Sequence, residues 1–249
     1  MTGAAALFDA EADRYPDSVG EDFTQARKWA LIADHAAGNA LAVDVGAANG
    51  RHALPFAAAG GRIVAVDPSP AMLGRLSSRA AASGLGDRVL ACGGGLPELP
   101  LAAGRFDLVY CFATLLLLPP RAQDAAIGEM AALLRPGGTL VVDIAGARSL
   151  AIRYWRRHYR RRGLAGVFGH TLPQARALLA RHGLTVTGVH AHGLLSQLLL
   201  FPGLGAIGPL VRLVRGRPSR AGLDAVASGL LPGLAERWFF VARRAGGDA

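Results

Sequence analysis

The residues best suited to chemistry are a glycine turn and an acid that follows it at the end of a strand. Residues 42–50 read AVDVGAANG, a buried strand that leads into a turn. Gly46 and Gly50 allow the backbone to turn tightly and to approach a ligand closely. Asp67 follows Gly50 by 17 residues, where a βαβ unit delivers a carboxylate to the hydroxyls of a bound ribose. The spacing therefore predicts a nucleoside site.

Strands and helices alternate around this unit. Short apolar runs predict strands at 41–45, 62–67, 89–92, 106–111, 139–144, 184–189 and 238–242. Helical spacing predicts helices at 23–37, 52–59, 71–83, 124–134 and 172–182, with a glycine loop at 93–95 and a turn at 135–138. This alternation predicts an α/β protein with a parallel, doubly wound sheet.

The composition suits one substantial domain. The chain has 249 residues, of which 51% are hydrophobic, enough for a large core with room for an inserted cap. Cys92 and Cys111 lack metal-ligand spacing, so we expect buried thiols and no metal site. Residues 1–14 contain three acids and no basic segment before an apolar block, so no secretory signal is predicted and a cytoplasmic location is expected.

Two segments after residue 147 break the alternation. Residues 148–162 carry seven arginines, interleaved with Tyr154, Trp155 and Tyr159. Such a segment could be a solvated helix face, a site for an anionic substrate or lipid headgroup, or a nucleic-acid site, of which the last is disfavoured.

The second segment, residues 193–211, contains no charged residue. It is long enough to be tested as a membrane helix, but Pro202 and Pro209 argue against a straight one. Its position between two strands of one sheet argues against it as well. Two readings remain open: a cap over an acceptor pocket that touches a membrane, or ordinary core helices.

Four motifs in one order resemble the class I S-adenosylmethionine-dependent methyltransferases, in particular their type 11/25-like domains. Residues 43–51, VDVGAANGR, resemble the first motif of that family, and residues 66–73, VDPSPAML, resemble the strand that ends at the ribose acid. Leu99-Pro100 with residues 106–109 resembles the run into the fourth strand, and residues 133–140 resemble the turn into the fifth.

The resemblance implies a Rossmann-like sheet of seven strands, mostly parallel with an antiparallel last strand, plus a helical cap. Residues 1–38 would form an N-terminal helical cap and residues 39–147 the core that binds S-adenosylmethionine. Residues 148–249 would complete the fold, with inserts at 148–171 and 190–235 that form an acceptor cap.

The resemblance also assigns cofactor contacts. Asp44 would lie close to the amino group of S-adenosylmethionine, and Asp67 would accept hydrogen bonds from both ribose hydroxyls. Tyr15, in the N-terminal cap, would close over the methionine carboxylate, and Met72 or its neighbours would flank the adenine. The other expected contacts are with Gly46, Ala47, Gly50, Pro68, Gly95, Leu96 and Cys111.

Three positions depart from the family pattern. Ala48 stands where the family has the middle glycine of its first motif. Gly93 to Gly95 replace the acid that binds the adenine amino group, so backbone carbonyls or water would have to substitute. Leu115 to Leu118 stand where many relatives carry a histidine, which leaves no obvious general base near the methyl donor.

The candidates for a general base are His170, His190 and His192, with His52 less favoured. Each of them could equally be structural, and His190 and His192 lack a third ligand for a metal ion. Methyl transfer can proceed largely by positioning and desolvation. The apolar run 112–118 therefore favours a hydrophobic acceptor, such as a quinone, a polyketide or a lipid-like metabolite.

Two other classes of function are weighed. A non-catalytic relative that binds a lipid or protein partner is favoured slightly by Ala48 and by the missing adenine acid. A nicotinamide dehydrogenase is disfavoured, because the first motif lacks the three-glycine spacing. Lys28 is also the only lysine, so the tyrosine–lysine dyad of short-chain dehydrogenases is absent. The acceptor atom and the oligomeric state stay open.

Overall fold

A computed structural model describes residues 2–17 and 23–246. The strands are β1 (Leu41–Val45), β2 (Arg62–Asp67), β3 (Val89–Gly93), β4 (Phe106–Cys111), β5 (Leu134–Ala145), β6 (Leu184–His192), β7 (Gly216–Arg217), β8 (Arg220–Ala221) and β9 (Arg237–Arg244). Seven of them form one sheet in the order β3-β2-β1-β4-β5-β9-β6, and β7 pairs with β8. Strand β9 is antiparallel to both of its neighbours, and β1 to β5 pair in parallel. The predicted Rossmann-like sheet is confirmed.

Helices cover both faces of the sheet. They are α1 (Thr2–Glu11), α2 (Phe23–Ala33), α3 (Ala53–Ala58), α4 (Pro70–Ala82), α5 (Pro120–Leu133), α6 (Leu150–Arg161), α7 (Leu172–Ala180), α8 (Gly208–Arg215) and α9 (Leu223–Leu230). Successive strand residues point to opposite faces. Val43 therefore packs in the core beneath α5 and α7, whereas Ala42 packs beneath α2, α3 and α4.

Several element boundaries differ from the predictions. Helix α2 ends at Ala33, before Gly38, whose φ is 72°. Helix α5 begins at Pro120, four residues earlier than predicted, because a proline fits the first turn of a helix. The predicted turn 135–138 lies inside β5, where the pairing with β4 is irregular. Strand β6 continues to His192, so His190 and His192 lie within the strand and not beyond it.

The uncharged segment 193–211 forms short elements. It contains two 3-10 helices, Ser196–Leu200 and Leu204–Ala206, and the first half of α8. Within residues 2–17 and 23–246, every helix is too short or too polar to cross a bilayer. The predicted cap 1–38 and the predicted C-terminal part 148–249 each include residues outside these ranges.

Candidate functional site

A cavity of about 380 Å³ lies at the carboxyl ends of β1, β2 and β4. Val45 and Gly46 line it from the end of β1, Val66 and Asp67 from the end of β2, and Phe112 from the residue after β4. Ligand sites in proteins are typically about 300–1,000 Å³ in volume. In open parallel sheets, ligands bind at the carboxyl ends of the strands, where the strand order reverses. The cavity lies at that reversal, between β1 and β4.

The glycine turn after β1 packs closely against its surroundings. Gly46 has a φ of 80°, and a Cβ atom there would lie 2.1 Å from Oγ1 of Thr114. Gly50 has a φ of 82°, and a Cβ atom there would lie 2.9 Å from Cγ of Leu76 in α4. Both positions therefore require glycine. Ala48 between them has a φ of 48°, in the region that favours glycine, and its side chain lines the cavity.

Asp67 is held in a fixed orientation at the end of β2. Its Oδ2 accepts a hydrogen bond of 2.8 Å from the backbone N–H of Ala48, and its Oδ1 accepts one of 2.9 Å from the N–H of Ser69. Burial raises the pKa of this carboxyl above its usual value, although both hydrogen bonds oppose the rise. Each carboxylate oxygen retains a lone pair for another donor, so Asp67 can accept hydrogen bonds from a ligand in the cavity.

Asp44 is a buried acid with an unsatisfied oxygen. Its Oδ2 accepts no hydrogen bond of good geometry among the described residues, although the hydroxyl of Tyr110 interacts with this carboxyl, and only 2% of the residue is exposed. Burial raises the pKa of its carboxyl to about 8, and the nearby charge of Asp67 adds to the rise, whereas Tyr110 and Arg51 oppose it. Buried acceptors are normally hydrogen-bonded. Asp44 is therefore a candidate partner for a cationic group of a ligand.

Helix α1 covers the cavity and is fixed to the start of α4. Gly3, Ala4 and Phe8 line the cavity. Oδ1 of Asp9 accepts hydrogen bonds from the hydroxyl of Ser69 at 2.5 Å and from the backbone N–H of Ala71 at 3.1 Å. Helix α1 is thus attached to the same turn that orients Asp67.

The residues after α1 are attached to the glycine turn. Nδ2 of Asn49 donates hydrogen bonds to Oδ1 of Asp17 at 2.8 Å and to the carbonyl of Pro16 at 3.2 Å. Arg79 of α4 donates to the carbonyl of Asn49 at 2.7 Å and to that of Asp17. Tyr15 lines the cavity, and the guanidinium of Arg51 lies 5.2 Å from the centre of its ring. The N-terminal segment and the turn therefore form one assembly over the cavity.

The side of the cavity near β4 is apolar. Phe112, Leu117 and Leu118 line it, and Thr114 adds one hydroxyl. Ala113 has a φ of 58°. Its N–H donates a 2.7 Å hydrogen bond to Oδ1 of Asp143, whose Oδ2 pairs with Arg237 at 2.8 Å. The buried ion pair thus holds the backbone of this wall in place.

Comparison with known proteins shows what the central part of the chain is similar to. Residues 42–138 match the model of a family described as a methyltransferase domain. An uncharacterized protein of Mycobacterium tuberculosis is 33% identical over 100 residues, which cover 40% of this chain and 35% of that protein. The chain thus spans about a third of the length of this curated relative.

Two solved structures share the fold. The structure of geranyl diphosphate methyltransferase in complex with GPP and sinefungin is 18% identical, with a TM-score of 0.64 over 89% of this chain and 78% of that one. Residues 42–138 therefore match a methyltransferase domain, and the solved structures share its fold. The structure of the [4+2]-cyclase SpnF is 19% identical, with a TM-score of 0.70 over 98% of this chain and 96% of that one.

The methyltransferase domain brings most of the predicted cofactor residues to one cavity. The predicted residues that line it are Tyr15, Gly46, Asp67, Pro68, Met72, Gly95 and Leu96. Asp44, Ala47, Gly50 and Cys111 are not among the lining residues that the structure describes. Gly50 packs against α4, and Cys111 is fully buried in the core, where burial raises the pKa of its thiol. Their predicted contacts with the cofactor stay predictions.

The predicted histidine bases lie elsewhere, and none of them is among the described lining residues of the cavity. Nε2 of His170 lies 2.9 Å from Oε1 of Gln123, and Nδ1 of His190 lies 3.5 Å from Arg27. Nε2 of His192 lies 2.7 Å from Oγ1 of Thr24, and its Nδ1 lies 3.3 Å from Oδ2 of Asp224. Burial lowers the pKa of His170 and of His190.

His52 lies behind the cavity wall, with its ring 5.2 Å from that of Phe112. Burial lowers its pKa well below the usual value, and the charges of Lys28 and Arg51 lower it further. The imidazole is therefore neutral at physiological pH. His52 is not among the described residues that line the cavity.

Three contributors to the site are absent from the sequence-based prediction. Asp9 and Asn49 attach the N-terminal segment, and residues 163–165, which follow α6, line the cavity. Asn49 lies within the glycine motif, which is a signal that could have identified it. Among the described lining residues, residues 163–165 come from the predicted insert 148–171 and none comes from 190–235.

Proposed function

We propose that the protein transfers a methyl group from S-adenosylmethionine to a hydrophobic small molecule. One observation carries the proposal. Asp67 is oriented by two backbone N–H groups at the wall of a cavity, beside a turn whose glycines cannot be replaced without a clash. The stretch that matches a methyltransferase domain surrounds this acid, and the structure of geranyl diphosphate methyltransferase quoted above is a complex with sinefungin.

The residues present fit the cofactor. Asp67 would accept hydrogen bonds from the ribose hydroxyls. The unsatisfied Oδ2 of Asp44 would pair with the amino group of the methionine part. Met72, Gly95 and Leu96 line the same cavity as Asp67. They would flank the adenine, with backbone groups in place of the missing acid.

The protein's contribution to the reaction would be positioning and the exclusion of water. S-adenosylmethionine supplies a methyl group that is activated by a sulfonium. Phe112, Leu117 and Leu118 would hold an apolar acceptor against it, and α1 would exclude solvent. Because the described lining contains no histidine, the acceptor would need no strong base. A quinone, a polyketide or a lipid-like metabolite meets this requirement. The protein would then act in small-molecule biosynthesis at the cytoplasmic side of a membrane.

The test is binding of S-adenosylhomocysteine, measured by calorimetry. In Asp67→Ala the ribose loses its charged acceptor, so we expect affinity to fall by about 100-fold or more. Asp87→Ala removes an exposed acid from a loop outside the cavity and should leave the affinity unchanged. A folded wild-type protein that does not bind S-adenosylhomocysteine would refute the proposal.

A second candidate is a methyltransferase-fold protein that does not transfer methyl groups and binds a lipid or protein partner. Ala48 and the absent adenine acid favour it, and the fold also occurs in a [4+2]-cyclase. Incubation with radiolabelled S-adenosylmethionine and a panel of apolar acceptors separates the two. Label in an organic-phase product supports methyl transfer, whereas tight cofactor binding with no product across the panel supports the second candidate.

A further inference from the structure

Helix α9 is inverted, with its polar side buried and its apolar side exposed. Asp224 and Ser228 are 1% and 0% exposed. Leu223, Val226 and Leu230, which share the opposite side at helical spacing, are 50%, 61% and 77% exposed. A surface helix normally turns its apolar side to the core. Helix α9 therefore has the opposite orientation to that of an ordinary surface helix.

Hydrogen bonds fix this orientation. The carboxylate of Asp224 accepts from the backbone N–H groups of Gly193, Leu195 and Ser196 at 2.8, 2.7 and 2.7 Å. The hydroxyl of Ser228 accepts from the N–H of Leu194 at 3.1 Å. Turning the leucines inward would break four hydrogen bonds to buried or half-buried backbone. The apolar side of α9 is thus held outward by the fold.

The exposed apolar side chains are concentrated around α9. Among the described residues, thirteen large apolar side chains are exposed, and ten of them lie between 198 and 234. The elements that carry them, α8, α9 and the 3-10 helices of segment 196–206, pack against one another. The ten are Leu198, Phe201, Leu204, Ile207, Leu213, Leu223, Val226, Leu230, Leu231 and Leu234. An exposed apolar concentration of this kind marks an interaction site.

The segment between residues 193 and 235, which carries these exposed apolar side chains, has a positive net charge. Arg212, Arg217 and Arg220 are exposed, and Asp224, the only acid between residues 193 and 235, is buried. The basic helix α6 adjoins the segment, because the N–H of Ala151 donates a 3.1 Å hydrogen bond to Oε1 of Gln197. We call the apolar side of α9 with Arg212, Arg217 and Arg220 the α9 surface.

We propose that the α9 surface docks on an anionic lipid bilayer. Such a bilayer offers an apolar interior for the leucines and negative headgroups for the arginines. A second copy of the chain fits less well, because a twofold interface would bring the arginines of both copies together. The choice of a bilayer as the partner rests only on the exposed apolar side chains and the arginines of the α9 surface. The bilayer could also supply the apolar acceptor, and this second idea rests on the proposed methyl transfer. The start of helix α6 contacts Gln197, and residues 163–165, which follow this helix, line the cavity.

The test is flotation with vesicles of phosphatidylcholine alone or of phosphatidylcholine with phosphatidylserine. We expect the wild-type protein to float only with the phosphatidylserine vesicles at low salt. The variant R212Q/R217Q/R220Q should bind about 100-fold more weakly, because each arginine contributes about one factor of five near an anionic surface. The variant L223S/V226S/L230S should lose the bound fraction by a similar or larger factor.

Two controls make the same kinds of change outside the α9 surface, and the arginine control matches its test variant in number. R62Q/R105Q/R121Q removes three exposed arginines outside the α9 surface, and L90S removes an exposed leucine from β3 at the far edge of the sheet. Both should float like the wild type apart from a small shared effect of net charge. Thermal melting shows whether each variant is folded, and binding of S-adenosylhomocysteine should be unchanged in all of them.

Three results would overturn the proposal. They are a wild-type protein that binds neither kind of vesicle, equal losses in the two arginine variants, and a wild-type dimer that dissociates in L223S/V226S/L230S. Cofactor binding separates the proposals. A protein that binds S-adenosylhomocysteine but no vesicle refutes the docking surface alone, and one that binds vesicles but no cofactor refutes the methyl transfer alone.

Discussion

Asp44 is a buried acid that the family resemblance places near the amino group of S-adenosylmethionine. With a pKa of about 8, its carboxyl is mostly protonated at pH 7 in the free protein. An ammonium group beside it would favour the charged form and lower the pKa. We expect binding of S-adenosylhomocysteine at pH 7 to release a proton from Asp44. Calorimetry in buffers of different ionisation enthalpy measures this, and equal enthalpies in all buffers would contradict it.

The same shift predicts how stability depends on pH. The folded carboxyl of Asp44 is mostly protonated up to a pH of about 8, whereas in the unfolded chain it ionises near the ordinary pKa of 3.8. Between these values the folded state binds more protons, so stability falls as pH rises, by at most about 1.4 kcal/mol per pH unit. Asp44→Asn should flatten this part of the curve and abolish the proton release, which makes it the control.

The residues that could be predicted are those whose roles follow from local spacing. Asp44, Gly46 and Asp67 lie within one βαβ unit, so the chain itself fixes where they meet. Asp9 could not be predicted, because its partners Ser69 and Ala71 are about 60 residues away and the contact depends on how α1 docks. Whether a histidine faces a cavity likewise depends on packing that spacing does not encode.

At the scale of elements, the attachment of α1 should control closure of the cavity. Asp9→Ala removes two hydrogen bonds to the start of α4, one of them from Ser69, which also caps that helix. We expect about a tenfold loss of affinity for S-adenosylhomocysteine. Cleavage by trypsin after Arg14, measured by electrophoresis, should be faster.

Asp13→Ala is the matched control for this prediction. Asp13 pairs with Arg75 at 3.2 Å, but its side chain is 99% exposed, and exposed ion pairs contribute little. Affinity and cleavage rate should both stay close to the wild type. Equal effects of the two substitutions would indicate that α1 does not gate the cavity.

Element type could be predicted more reliably than the orientation of elements. The strands of the core were predicted because buried apolar runs lie between glycine turns and amphipathic helices. Helix α9 shows the limit, since the usual rule would turn Leu223, Val226 and Leu230 to the core. The polar side of α9 instead accepts hydrogen bonds from the backbone N–H groups of residues 193–196. No local sequence pattern predicts that contact.

For the whole molecule, we expect the two ends of the parallel strands to have different roles: residues at the carboxyl ends bind the ligand, and residues at the amino ends stabilise the fold. The strand order reverses between β1 and β4, which opens the cavity at their carboxyl ends. The family motifs imply this topology, so the position of the site could be predicted from sequence. The acceptor could not, because the segments 148–171 and 190–235 lie outside the matched domain at 42–138.

Asp107 lies at the amino end of β4, opposite the end at which the cavity opens, and substitution there tests whether the two ends act independently. Its Oδ2 accepts a 2.8 Å hydrogen bond from the N–H of Leu41, and its Oδ1 pairs with Arg135 at 2.5 Å. Partial burial opposes ionisation, but these contacts outweigh it and lower the pKa. A lowered pKa stabilises the fold above the usual carboxyl range, and this stabilisation is lost as the pH falls below about 4.

Asp107→Asn should therefore lower the free energy of unfolding by roughly 1–2 kcal/mol at pH 7, because the ion pair is lost and one acceptor remains. The loss should shrink in acid, where the wild-type carboxyl is also neutral. Urea unfolding at several pH values measures it. Affinity for S-adenosylhomocysteine should be unchanged, in contrast to Asp67→Ala at the other end of the sheet. Among the described residues, Asp107 makes no contact with the lining of the cavity. A comparable loss of affinity in Asp107→Asn and Asp67→Ala would therefore mean that the two ends of the strands are coupled.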